Sequence, residues 1–211
     1  METPTPTGLF ATAYLPPIAY FSQLIRYEQI AIEWQETYPK QTYRNRAEIP
    51  TANGMMALSV PVIRVQGNHT RTEAIAISYN EPWNVRHWRA IVSAYNAAPY
   101  FLYYRDYFEH ILMKEHSRLI DLNEELLKTI LRLLKIDCKI VHTEDYIPAG
   151  TIEDDYRSLS NAKSHTTPTS FPAYSQVFDN KQPFLPNMSI IDLLFNLGPE
   201  ARSYLKNIES L

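Results

Sequence analysis

Residues 9–34, LFATAYLPPIAYFSQLIRYEQIAIEW, decide the fold. Residues 9–15 form an apolar run that reads as a strand, and Pro16-Pro17 stops it. Proline is tolerated in a first helical turn because its missing N–H would be unpaired there anyway. Residues 17–26 therefore read as a helix, with Ile18, Phe21 and Ile25 at helical spacing. Residues 28–34, carrying Ile30, Ala31 and Ile32, read as a second strand. Strand, helix and strand over this length suffice for a parallel crossover. In an open parallel sheet, ligands bind beyond the carboxyl ends of the strands. Tyr14, Glu33 and the loop after Glu33 then share one edge, provided the two strands are neighbours.

That loop contains Lys40-Gln41-Thr42-Tyr43-Arg44-Asn45-Arg46, three cations with an aromatic ring and two carboxamides. An extended backbone there puts the Arg44 and Arg46 side chains on one side. Paired guanidiniums suit a phosphate or carboxylate, since each is a planar two-point donor. The alternative is that the arginines pair with Glu33, Glu36 or Glu48.

Further along, Asn53-Gly54 marks a turn. Residues 56–62 and 73–79 alternate as strands and read as an antiparallel hairpin with a long connection; Pro61 makes the first an edge. Asn84 caps a helix with Val85, Trp88, Ile91, Val92 and Tyr95 as its buried stripe and His87 at the border. Residues 100–115 form another helix, and Ser117 caps a third that runs to Lys135. Residues 139–142 are a short strand. Residues 149–174 lose the apolar pattern and read as a long loop or partly ordered excursion, a length usually functional or disordered. Ser189 caps a helix that Gly198 closes, and Pro199-Glu200 begins the last. The expected class is α/β: a small mixed sheet, an N-terminal strand–helix–strand unit, a central helical block and C-terminal helices.

The 211 residues are enough for one domain with a sizeable core, and residues 1–211 are read as one. A net charge of −3 argues against a nucleic-acid partner. Cys138 is the sole cysteine, which excludes an internal disulfide and fits a reducing compartment. Residues 1–7 lack a signal peptide's basic start, and no apolar run approaches the ~18–20 residues that cross a bilayer. The expected location is cytoplasmic. His110 and His116 face different sides of a helix and Cys138 has no close partner, so no metal site is expected. No motif names a cofactor.

Several segments together resemble the WbqC-like family. They are Ala13-Tyr14-Leu15-Pro16-Pro17-Ile18-Ala19-Tyr20-Phe21; Arg44-Asn45-Arg46 with Ile49 and Asn53-Gly54; and Leu58-Ser59-Val60-Pro61-Val62. Trp83 with His87, Ser93-Ala94-Tyr95, Ala98-Pro99-Tyr100-Phe101, Asp155-Tyr156-Arg157 and Ser189-Ile190-Ile191-Asp192-Leu193-Leu194-Phe195-Asn196 follow in the family's order. Thr12-Ala13 stands where the family usually has Gln-Pro, and Glu33-Trp34-Gln35-Glu36 matches only loosely; both departures lie at the proposed ligand edge. The resemblance implies a role in surface-polysaccharide biosynthesis of the O-antigen (lipopolysaccharide) type, by transfer of an aminoacyl or acyl group to an amino sugar.

On this reading His87 is a general base, its ordinary pKa suiting proton transfer at neutral pH. Otherwise it is a border histidine bonded to a backbone carbonyl. Glu33 is the second catalytic candidate. Arg44, Arg46, Asn45, Tyr43, Tyr14, Lys40, Asp155, Arg157 and Asp192 are the substrate-binding candidates, with Asp192 equally readable as a buried polar anchor. The expected substrate is an anionic small molecule, a nucleotide sugar or an activated acid. The competing function is a non-catalytic scaffold or binding protein of a polysaccharide-assembly complex. Catalysis requires Arg44, Arg46, His87 and Tyr14 to meet in one cleft; a scaffold predicts them scattered beside an exposed Tyr-rich patch.

Overall fold

Two apolar strands laid side by side begin the chain. In the computed structural model, which describes residues 7–161, 168 and 170–209, β1 (Thr7–Ala11) and β2 (Gln29–Glu33) pair in parallel, Leu9 opposite Ala31. The return helix α1 (Ile18–Leu24) starts directly after the proline pair and is buried throughout. A helix this short is not stable alone in water. Remote residues complete its first turn. Ile18 donates to the Met188 carbonyl at 3.0 Å and Ala19 to Asn187 Oδ1 at 2.8 Å. The Ser189 hydroxyl donates to the Leu15 carbonyl at 2.8 Å, so the N-terminal unit is closed by the other end of the chain.

The Asn53-Gly54 turn joins β3 (Arg46–Thr51) to β4 (Gly54–Ser59), an antiparallel hairpin with Ala47 opposite Leu58. This corrects the expected pairing of residues 56–62 with 73–79. Only β5 (Val62–Ile63) reaches β6 (Ala76–Ile77) in that way. The strand is cut at Val60-Pro61: Val60 donates to the Asn45 carbonyl and accepts from Asn45 Nδ2, both at 2.8 Å, and Pro61 has no N–H to continue a ladder. The adjacent Asn-Gly turn closes a shorter loop than the distant partner, so the first half folds back locally.

The helical block consists of α2 (Trp83–Tyr95), α3 (Phe101–Met113) and α4 (Leu119–Leu133), each starting within two residues of the start read from sequence, with Pro82 and Arg118 rather than Asn84 and Ser117 at the cap positions of α2 and α4. Then β7 (Lys139–His142) pairs in parallel with β2, giving the order β1-β2-β7; the antiparallel strands stand apart as two two-stranded ribbons. The α/β class holds, with parallel and antiparallel pairing segregated rather than mixed within one sheet. Finally α5 (Ile190–Leu197) buries Phe195 among Tyr95, Phe101 and Phe108, with ring centroids 5.1, 5.2 and 5.4 Å away. Edge-to-face pairs of this kind contribute ~0.5–1.5 kcal/mol each beyond their burial. Gly198 ends α5 with a φ of 54°, where an added Cβ would sit 2.5 Å from the Tyr100 ring. The chain then turns into α6 (Ala201–Lys206). No helix among the described residues is long and apolar enough to cross a membrane.

Candidate functional site: a cleft at the carboxyl edge of the parallel sheet

Glu33 is the last residue of β2 and has no exposed surface. A buried carboxylate is tolerable only when its lone pairs are filled. Here Oε1 accepts from the Gln35 N–H at 2.7 Å and the Thr143 hydroxyl at 2.8 Å. Oε2 accepts from the Ile147 N–H at 3.0 Å and lies 3.6 Å from Arg157 Nη1. Glu33 thus ties together the loops that leave β2 and β7. With three hydrogen bonds and the Arg157 guanidinium beside it, the carboxylate expected to be catalytic positions these loops.

Arg157 continues the network. Its Nε and Nη2 grip the Asp155 carboxylate at 2.9 and 2.5 Å, and Nη1 donates to the Ile147 carbonyl at 2.7 Å. Burial alone would raise the Asp155 carboxyl, but the bonds and charge of Arg157 outweigh it and hold the pKa below the usual carboxylate range. Residues 154–156 lie along the free side of β1, Leu9 donating to the Asp154 carbonyl and accepting from Tyr156, both at 2.8 Å. The part of the long excursion up to residue 161 is therefore ordered against the sheet; residues 162–167 and 169 lie outside the described residues.

These elements enclose a cleft of about 570 Å³ beyond β2 and β7, bordered by Glu36, Arg44, Tyr146, Glu153, Asp155 and Arg157 among others. Arg44 is 2% exposed. Its Nε and Nη2 both reach Glu36 Oε1 at 2.7 Å, while Nη1, equally buried, has no partner among the described residues. Glu153 is exposed, and no hydrogen bond or ion pair engages its carboxylate among the described residues. Tyr146, 5.8 Å from the Arg157 guanidinium, is an exposed ring at the mouth. The lining thus carries three carboxylates and two guanidiniums, and Arg44 Nη1 is the guanidinium nitrogen in it that is buried without a partner among the described residues.

The other candidates sit elsewhere. Arg44 lies in a turn and Arg46 opens β3, so their guanidiniums do not form the expected pair. Arg46 Nη2 binds Glu48 Oε1 at 2.9 Å and the Tyr43 hydroxyl donates to Glu48 Oε2 at 2.8 Å. Asn45 is spent on Val60, and Lys40 is exposed outside the cleft lining. His87 Nδ1 and Tyr14 Oη are 2.9 Å apart, and the Ser59 backbone lies beside the ring. Burial pushes the His87 pKa down to about 4 and the Tyr14 hydroxyl up. His87 borders a different cavity, with Trp83 and β4. Arg44, Arg46, His87 and Tyr14 do not meet in one cleft: the Tyr14 N–H is bonded to the Tyr43 carbonyl at 2.8 Å, but the Arg44 and His87 side chains border separate cavities and Arg46 is turned to Glu48.

Asp192 is fully buried in α5 and away from the cleft. Its Oδ2 accepts from the Tyr174 hydroxyl and from Gln176 Nε2 at 2.8 Å, and Oδ1 from Asn196 Nδ2 at 3.2 Å. Burial raises its pKa to about 6, the bonds from Tyr174 and Gln176 offsetting part of that. It anchors the loop before α5. Glu36, Tyr146 and Glu153 line the cleft without having been among the site candidates; the acidic run Glu153-Asp154-Asp155 inside the long excursion was the available signal. Among the described residues no three His, Cys, Asp or Glu side chains are placed to hold a metal ion.

No solved structure matches the chain. The chain is 30% identical over 218 residues to uncharacterized protein Rv1507c of Mycobacterium tuberculosis, covering 92% of this chain and 94% of that one. The family model for WbqC-like proteins matches residues 12–166 and 152–204. Those ranges take in the segment directly after β1, the hairpin, the helical block, the Asp155–Arg157 network and α5, and the chain belongs to the WbqC-like protein family.

Proposed function

We propose that the protein is a transferase of surface-polysaccharide assembly that places an acyl or aminoacyl group on the amine of an amino sugar held in the carboxyl-edge cleft. One observation carries the reading: a buried guanidinium with a vacant N–H, Arg44 Nη1, shares this cleft with a free carboxylate, Glu153, and an exposed ring, Tyr146. The guanidinium holds one acceptor oxygen of the activated donor. The ring offers an apolar face to a sugar, and the excess of carboxylates favours an amine-bearing ligand. In the transfer the amine nitrogen attacks the acyl carbon and the C–N bond forms as the bond to the leaving group breaks. Glu153 takes the proton that the nitrogen loses and passes it to the leaving group. The family resemblance supplies the polysaccharide context.

Thermal-shift titration with a nucleotide-linked amino sugar and its N-acetylated counterpart, followed by mass analysis after adding acyl thioesters, tests this. The free amine is expected to stabilise the protein and the blocked one to do so far less. Arg44→Lys should weaken binding, while Glu153→Gln should bind yet form no product. Absence of stabilisation by every amino sugar overturns the reading. Binding without any product supports the second reading, a non-catalytic binding component, which is favoured by His87 and Arg44 bordering separate cavities and by the exposed Leu102 and Tyr103 on α3.

A further inference from the structure

The β3–β4 hairpin has one edge covered and one bare. The outer side of β3 is taken: the Glu48 carbonyl accepts from the Ser189 N–H at 2.8 Å and the Thr51 carbonyl from Gln182 Nε2 at 3.0 Å. Among the described residues β4 pairs with β3 only. Alternate residues of an antiparallel strand turn their N–H and C=O away from the partner, so β4 presents unpaired backbone groups along its edge up to Ser59, whose backbone lies beside His87. Edge strands that stay single are usually blunted by charge, proline or a bulge. Within β4, GMMALS, there is neither charge nor proline. Met55 and Met56 stand instead 54% and 43% exposed.

A cavity of about 380 Å³ runs from this edge to α2. Met56, Ala57, Leu58 and Ser59 all border it. Side chains alternate between faces along a strand, so four consecutive lining residues mean that the strand's edge, not one face, forms the wall. The opposite wall includes Pro61, Trp83 and Ala90. Trp83 is 3% exposed and its indole N–H has no acceptor among the described residues. Burying a donor unpaired is costly, so this one points to a missing acceptor.

Projecting apolar side chains and a receiving cavity of mixed lining with a vacant donor thus lie on the same patch, which is the condition for an interface built on a two-fold axis. We infer that β4 pairs antiparallel with β4 of a second copy of this chain. Met55 and Met56 of each copy cover the other's cavity, and an oxygen of the incoming copy accepts from the Trp83 indole. The uncharged strand meets its own copy without like-charge repulsion. At the rim Glu81 and Arg86 already neutralise one another.

Sedimentation equilibrium of the full chain from low micromolar to submillimolar concentration tests this. A monomer–dimer equilibrium is expected, and a variant carrying Met55→Lys with Met56→Lys should be monomeric throughout with an unchanged far-UV spectrum. Amide exchange in residues 54–59 of the unmodified protein should slow with rising concentration, a readout that stands even if the variant fails to fold. A wild-type monomer at every concentration, a lysine variant that dimerises like the parent, or exchange in 54–59 independent of concentration would each overturn the inference.

Discussion

Beyond β2 an arginine keeps a buried nitrogen unpaired beside an open cleft, while on α2 a histidine is bonded through Nδ1 to Tyr14. Both residues read equally well as chemistry from sequence. The difference between them is unfilled hydrogen-bonding capacity, and it separates a ligand contact from a structural clasp. A buried donor left over beside open space is costly unless something arrives to accept from it. A ring nitrogen closed on a tyrosine is already spent, and the depressed pKa keeps the imidazole neutral near pH 7. The Glu33 carboxylate falls on the clasp side although it stands within the ligand edge.

The comparison is broken most directly at Glu33. Glu33→Ala strands Arg157 and two backbone N–H groups, and should cost roughly 3–5 kcal/mol of unfolding free energy together with ligand binding in the cleft. Denaturant unfolding and calorimetry check both. Loss of binding without loss of stability would make Glu33 a direct contact.

Two pH effects come next, and they oppose one another. Asp192, raised to about 6, favours the folded state while protonated; that stability is present below pH ~4 and lost as pH rises through 6. His87, lowered to about 4, works the other way: its stability is present above pH ~6.5 and lost as pH falls through 4. Each is on the order of 3 kcal/mol. The wild type should therefore vary little between pH 4 and 6.5 on their account. Asp192→Asn should expose the His87 loss toward acid, and His87→Gln the Asp192 loss toward neutrality. A single mutant with the parent's flat profile would contradict the corresponding assignment.

Smaller is Tyr14→Phe, which removes one partner of His87 and should cost about 1 kcal/mol while leaving binding in the cleft unchanged. A change in affinity would return Tyr14 to the site. Smallest is Arg46→Ala. Its side chain is 37% exposed and paired with Glu48, so the stability loss should stay below ~1 kcal/mol with no effect on cleft binding.

The sequence by itself determined the parallel start of the fold, because an apolar run, a proline pair and a second apolar run leave the backbone few arrangements. It also determined the edge at which ligands would be sought, the strand at 139–142, the three central helices and the stop at Gly198. It indicated that His87, Arg46 and Asp192 had a bland reading beside the chemical one, but left that choice open. Only the tertiary structure decided it, since whether a polar group is free depends on partners far along the chain: Tyr14 for His87, Thr143 and Ile147 for Glu33, Tyr174 and Gln176 for Asp192. Local periodicity reports which face a residue is on. Satisfaction of its hydrogen bonds is a long-range property, and that is why Tyr146 and Glu153 came into view only when the loops after β7 were seen to close over Arg44.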